Sequence, residues 1–161
     1  MSDPISVGLG EQVVSKNPAD VLVAYGLGSC VGVGMFDPVR RVSGLIHAVL
    51  PQRLNGTDPV SPKYVDSGLE GLLAEMVRAG ADRNRLVIKM VGGANMLMTA
   101  SLSNMFDIGS RNVNMAHEVL QRLGLRLQAE RVGGHTGRTV HLYVATGRMT
   151  VRMVGGKEED L

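Results

Sequence analysis

The sequence predicts a single α+β domain, and three observations carry that expectation. Short apolar runs, alternating or continuous, recur along the chain and are bounded by Gly, Pro, Asn or Asp, the signature of strands between turns. Two longer stretches repeat their apolar residues every three or four positions, the period of a helix lying on a core. The chain has 161 residues, enough for one domain with a real interior and short for two.

Composition narrows the class. Apolar residues make up 44% and charged residues 20%, which describes a globular chain. Aromatics are only 3%, with no Trp, against 10 Met and 21 Gly. The core must be aliphatic and methionine-filled, and the chain must turn tightly and often. The start, Met1-Ser2-Asp3-Pro4, has no basic segment followed by an apolar run, so no signal peptide is expected there.

In order, Ile5 to Val14 reads as a short edge strand kinked at Gly8 and Gly10, and Lys16-Asn17-Pro18 as a turn. Val21–Tyr25 is a continuous apolar run, a central strand. Val21 to Phe36 carries no charge, but it is short of the ~20 residues a membrane helix needs and holds four glycines, so it is buried strand. Asp37-Pro38-Val39-Arg40 is a turn, and Arg41 to Leu50 is the returning arm of a hairpin. Pro51 to Pro62 is a loop, either a wall of the site or a plain connection.

Ser61 is expected to cap a helix with Pro62 in its first position. Its apolar stripe is expected to be Tyr64, Val65, Leu69, Leu72, Leu73, Met76 and Val77, and Gly80 ends it. Leu86–Val91 is a strand leading into Gly92-Gly93-Ala94-Asn95. Met96 to Phe106 is an apolar patch without period, either core or an adaptable docking surface. A second helix follows Ile108–Asn112, buried through Val113, Ala116, Val119 and Leu120 and stopped at Gly124. Leu125–Val132 alternates as a strand before the Gly-rich turn Gly133 to Arg138. Thr139–Ala145 and Arg148–Val154 flank Thr146-Gly147 as a hairpin. Residues 155–161 are expected to form a flexible acidic tail on a single domain spanning 1–161.

The chemistry centres on Cys30, the only cysteine, placed directly after Gly26-Leu27-Gly28-Ser29. If Asp37 and Arg40 close the hairpin, Cys30 faces His47 on the same side of the sheet, within about 4.5–5.5 Å at Cβ. A one-residue slip would send His47 to the other face. In the facing arrangement an imidazolium would lower the thiol pKa and yield a thiolate nucleophile, and the same ring would pass a proton to a leaving amine. Gly28 and Ser29 offer backbone N–H groups for an oxyanion. Gly92, Gly93, Asn95, Gly133 and Gly134 are candidate substrate-loop residues. Against this stands the ordinary fate of these residue types: a lone cysteine as a small buried hydrophobe, a lone histidine as a satisfied core residue.

Other chemistries find no support. His47, His117, His135, His141 and Cys30 give no metal-ligand spacing. Gly26-x-Gly28 is followed by a strand where a dinucleotide fingerprint has a helix. The net charge is +2, but the basic residues are scattered and not interleaved with aromatics, so nucleic acid is not expected as a partner.

The motifs Gly26-Leu27-Gly28-Ser29-Cys30-Val31, Asp37-Pro38 and His47-Ala48-Val49-Leu50-Pro51 resemble the CheD family of chemoreceptor glutamine deamidases. The resemblance continues through Lys63-Tyr64, Gly92-Gly93-Ala94-x-Met96, Ile108-Gly109-x-Arg111-Asn112 and Gly133-Gly134-x-x-Gly137-Arg138, covering nearly the whole chain. It implies a β-sandwich flanked by two main helices, similar to the cysteine-hydrolase domain of cytotoxic necrotising factor toxins. It further implies a cytoplasmic enzyme that converts chemoreceptor glutamines to glutamate through a thioester, with Cys30 as nucleophile and His47 as base. No metal or organic cofactor is implied; a CheC-type phosphatase is implied as a second partner. One position departs from the pattern. Where the family has a threonine that hydrogen-bonds the histidine, this chain has Ala24. A backbone carbonyl, Asn95 or Ser29 is then expected to hold the ring, or else the protein is a weakly catalytic or non-catalytic adaptor.

Overall fold

The computed structural model describes residues 3–54, 57–96 and 107–161. Among them run β1 (Ile5–Ser6), β2 (Glu11–Ser15), β3 (Val21–Leu27), β4 (Val31–Asp37), β5 (Val42–Ala48), α1 (Val65–Arg78), β6 (Val87–Gly92), α2 (Ile108–Arg122), β7 (Leu127–Val132), β8 (Arg138–Tyr143), β9 (Met149–Met153) and β10 (Glu158–Asp160). The strands form two five-stranded sheets, ordered β1-β3-β8-β9-β10 and β2-β5-β4-β6-β7. Each is mixed: β1 with β3 and β6 with β7 run parallel, and the remaining pairs antiparallel. The fold is α+β, as the two periodicities predict.

Two apolar cores fix the layers. Leu22, Ala24, Val140, Leu142 and Met149 of the first sheet pack against Cys30, Leu45 and Val91 of the second. On the other face of the second sheet, Val31, Val33, Met35 and Ile46 pack against Leu69, Leu72, Val113 and Leu120 of the two helices. β4 is therefore covered on both faces, which explains why it carries no charge before its last residue, Asp37. Its valines face the helices. Gly32 and Gly34 face the first sheet, where an added Cβ would press on Leu27 and Val140, or on Met149 and Leu142.

The structure corrects several expectations. Ile5 to Val14 is two strands in different sheets, with the Gly8–Gly10 kink as the crossover. The helix begins at Val65 with Tyr64 as its cap, and Ser61 makes no cap. Tyr64 instead bridges Leu50, the amides of Val49 and Leu50 donate to the Lys63 carbonyl, and Tyr64 N donates back to Ser61 O, so 61–64 is a turn. At the other end of the helix Val77, expected in the buried stripe, is exposed. Residues 158–160 are β10, an edge strand on β9 and not a loose tail. Its side chains are exposed but tied down, Glu158 accepting from Tyr143 and Thr150, and Asp160 from Arg148. Most of the Met96–Phe106 patch (97–106) lies outside the described residues.

The β4–β5 turn also differs. It closes at Asp37 and Val42, leaving a four-residue loop, so His47 stands opposite Gly32. The Asp37 carboxylate accepts from the amides of Val39 (2.9 Å) and Arg40 (3.1 Å), its carbonyl accepts from Arg41, and Arg41 takes φ 54°. A two-residue turn would forfeit all of these bonds.

Candidate functional site

Cys30 lies one residue before β4, and its expected direct pairing with His47 does not occur. The register is offset by two residues, which preserves the face because side chains alternate with period two. Cys30 belongs to the core between the sheets, and His47, opposite Gly32, points into the same layer. Cys30 is 9% exposed and His47 3%, so both side chains are buried in that layer.

His47 is held by the backbone. Its Nδ1 lies 2.9 Å from the carbonyl of Val7. A carbonyl can only accept, so Nδ1 carries the proton and donates, leaving the lone pair of the neutral ring on Nε2. Nε2 is buried and, among the described residues, has no hydrogen-bond partner, the Cys30 thiol included. The ring is thus oriented with a vacant basic nitrogen. Ala24 lies on β3 of the facing sheet, fully buried and without a side-chain oxygen, and Val7 takes the orienting part. Asn95 does not: its amide donates to Ser110 Oγ at 3.0 Å.

Burial pushes the Cys30 thiol up, and the opposing pull of its own backbone N–H is smaller. The expectation of a thiolate stabilised by imidazolium is therefore corrected: no hydrogen bond joins Cys30 to His47 Nε2, and the low-dielectric layer disfavours charge.

The turn before Cys30 is anchored at several points. Gly28 O accepts from Ala94 N and Cys30 O from Gly93 N, both at 2.8 Å. Asn112, fully buried on α2, donates to Ser29 O (2.8 Å) and Val49 O (3.0 Å), joining the cysteine turn to the end of the histidine strand. Asn112 is a site residue that spacing alone did not single out. Gly92, Gly93, Asn95, Gly133 and Gly134 do come together, as a junction behind the cysteine. Gly133 N donates to Gly92 O and Asn95 N to Gly134 O. Arg138, 5% exposed, clamps both turns by donating to Gly92 O (2.9 Å) and Gly133 O (2.6 Å). A Cβ on Gly92, at φ 114°, would strike the Cys30 carbonyl.

The 50–54 loop faces elsewhere. Leu50, Pro51, Gln52 and Leu54 line a cavity of about 380 Å³ with Ile108, Arg111 and Met115, and neither Cys30 nor His47 lines it. Among the described residues no group of three His, Cys, Asp or Glu side chains could hold a metal ion, and no helix is long and apolar enough to cross a membrane.

Residues 49–153 match the family model described as CheD chemotactic sensory transduction. A Symbiobacterium thermophilum protein named probable chemoreceptor glutamine deamidase CheD is 46% identical over 158 residues, 97% of this chain and 96% of that one. A Pyrococcus abyssi protein of the same name is 43% identical over 97% of this chain and 95% of its own. Among solved structures, Bacillus licheniformis hypothetical protein YfiH aligns with a TM-score of 0.48 at 15% identity, over 74% of this chain and 49% of that one, too distant for anything to rest on it.

Proposed function

The chain belongs to the CheD family, and from that premise we propose that it is a cysteine-dependent deamidase hydrolysing the side-chain amides of particular chemoreceptor glutamines to glutamate and ammonia. One observation carries the reading. The only cysteine and a histidine with its Nδ1 proton committed and its Nε2 vacant share one buried layer at the end of a sheet.

Cys30 is the nucleophile and His47 the base. Because burial favours the neutral thiol, the proton moves as the sulfur attacks and not before. Substrate entry brings Sγ and Nε2 together; Nε2 takes the thiol proton while sulfur bonds to the amide carbon. The oxyanion is received by amides of the Gly28–Ser29 turn. Protonated Nε2 gives its proton to the departing nitrogen, which leaves as ammonia with a thioester behind. A water then loses its proton to Nε2 and attacks the thioester carbon, and the carboxylate departs as the thiol is restored.

The proposal extends to a cytoplasmic site of action on receptor helices, a CheC-type phosphatase as second partner, and kinship with the cysteine-hydrolase domain of cytotoxic necrotising factor toxins. The adaptor alternative drew on Ala24; the Val7 carbonyl supplies the missing orientation, so that residue no longer favours it. Intact-mass measurement of receptor fragments incubated with the protein tests the enzyme. The mass gain of glutamine-to-glutamate conversion is expected with the native chain and absent with Cys30→Ala. Equal conversion by both would end this reading.

A further inference from the structure

The Val7 carbonyl that accepts from His47 Nδ1 is one end of a peptide unit whose other end is the Gly8 N–H. That N–H donates to Glu11 Oε1 at 2.6 Å. In a trans peptide the two groups point in opposite directions. Imidazole, peptide and carboxylate therefore form one continuous chain of hydrogen bonds. We propose that Glu11 is a positioning residue for His47, acting through the Val7–Gly8 peptide as the carboxylate of a triad acts directly. The proposal rests on the reading of His47 as the base.

The physics is that of a polarised amide. A carboxylate on the N–H shifts electron density to the carbonyl oxygen, making it a stronger acceptor. A stronger acceptor fixes the proton on Nδ1 and steadies the ring as Nε2 gains a proton. The surrounding backbone holds the parts in register. Glu11 and His47 are cross-strand partners, Gly10 N donates to His47 O, Glu11 N to Gly8 O, and Val7 N to Val23 O. A Cβ on Gly8 would stand 2.8 Å from Glu11 Oε1, so the close carboxylate approach uses the missing side chain at that position. The device also answers Ala24: with no hydroxyl there, the strap from Val7 to Glu11 supplies both the acceptor and the charge.

The experiment compares the full chain with Glu11→Ala and Glu11→Gln. Two readouts are taken: the ¹⁵N-edited NMR signal of the His47 Nδ1–H, and deamidation kinetics on a receptor fragment. In Glu11→Ala the Nδ1–H resonance is expected to move upfield and exchange faster with water. kcat should fall about tenfold, equivalent to about 1.4 kcal/mol, with KM held within about twofold. Glu11→Gln keeps an oxygen at the same reach without the charge and should lie between the two. An Nδ1–H signal unchanged in Glu11→Ala overturns the proposal, whatever happens to rate or melting temperature. So does a loss confined to KM. The NMR arm needs no turnover, so a native chain that deamidates nothing ends the enzyme reading while the relay is still decided.

Discussion

At the scale of single residues, the site shows a base prepared and a nucleophile held back. His47 has its tautomer set by Val7, whereas Cys30 is kept neutral by its surroundings. Iodoacetamide labelling of the free protein should accordingly follow a titration with its midpoint above the ordinary thiol value of about 8.5; a midpoint a unit below that value would show a thiolate and refute the neutral-thiol mechanism. His47→Gln removes the proton acceptor while keeping polarity, and should lower kcat by about 10²–10⁴-fold, read in the receptor-fragment assay. The shared face of Cys30 and His47 was legible from sequence even though the turn length was not, because lengthening the loop from two residues to four moves the register by an even number. A backbone carbonyl was one of three groups expected to hold the ring, but which residue supplies it was not legible. Every residue carries a carbonyl, and only the crossover between sheets brings that of Val7 to His47.

At the scale of elements, the cysteine turn is a meeting point for β4, β6 and α2. The Gly-Gly pairs were visible as close-approach signals, but their part is structural: Gly92 lets β6 pass against the Cys30 carbonyl, and Arg138 ties that corner to Gly133. Gly92→Ala combines a positive φ with a backbone clash and should cost about 2 kcal/mol or more, seen as a lower midpoint in urea unfolding together with lost activity. An alanine variant of native stability would refute the close approach. Asn112→Ala leaves the carbonyls of Ser29 and Val49 without their donor. A stability loss of about 1–3 kcal/mol is expected, with a fall in kcat because the cysteine turn loses its tether to the end of β5. Composition could not reveal Asn112, since a buried asparagine looks in sequence like any exposed one on a helix.

At the scale of the whole molecule, the two cores share one sheet, so the turn that sets the β4–β5 register also sets the relation between the sheet and both layers. Asp37 governs that turn. It is fully buried and accepts from Val39, Arg40 and Asp82 amides and from Arg85, whose guanidinium lies 2.9 Å away. It thereby joins the β4–β5 loop to the connection between α1 and β6. Burial alone would raise its pKa, but Arg85 and the three amides outweigh it and hold the carboxyl well below the usual range. The sign follows from that direction. An unfolded aspartate titrates near 3.9, so the folded state gains stability from Asp37 above that pH and loses it as pH falls toward the depressed folded value. Arg85 is about one-third exposed, and solvent screening reduces what the pair is worth. Asp37→Asn should therefore cost about 2 kcal/mol at neutral pH, a fall in melting temperature of about 4–8 °C for a chain of this length. The gap between variant and native chain should narrow as pH drops below about 4, where protonation removes the charge that the substitution had already removed. A gap constant from pH 7 to pH 2.5 would mean that shape alone, and not the ionised carboxylate, holds the turn.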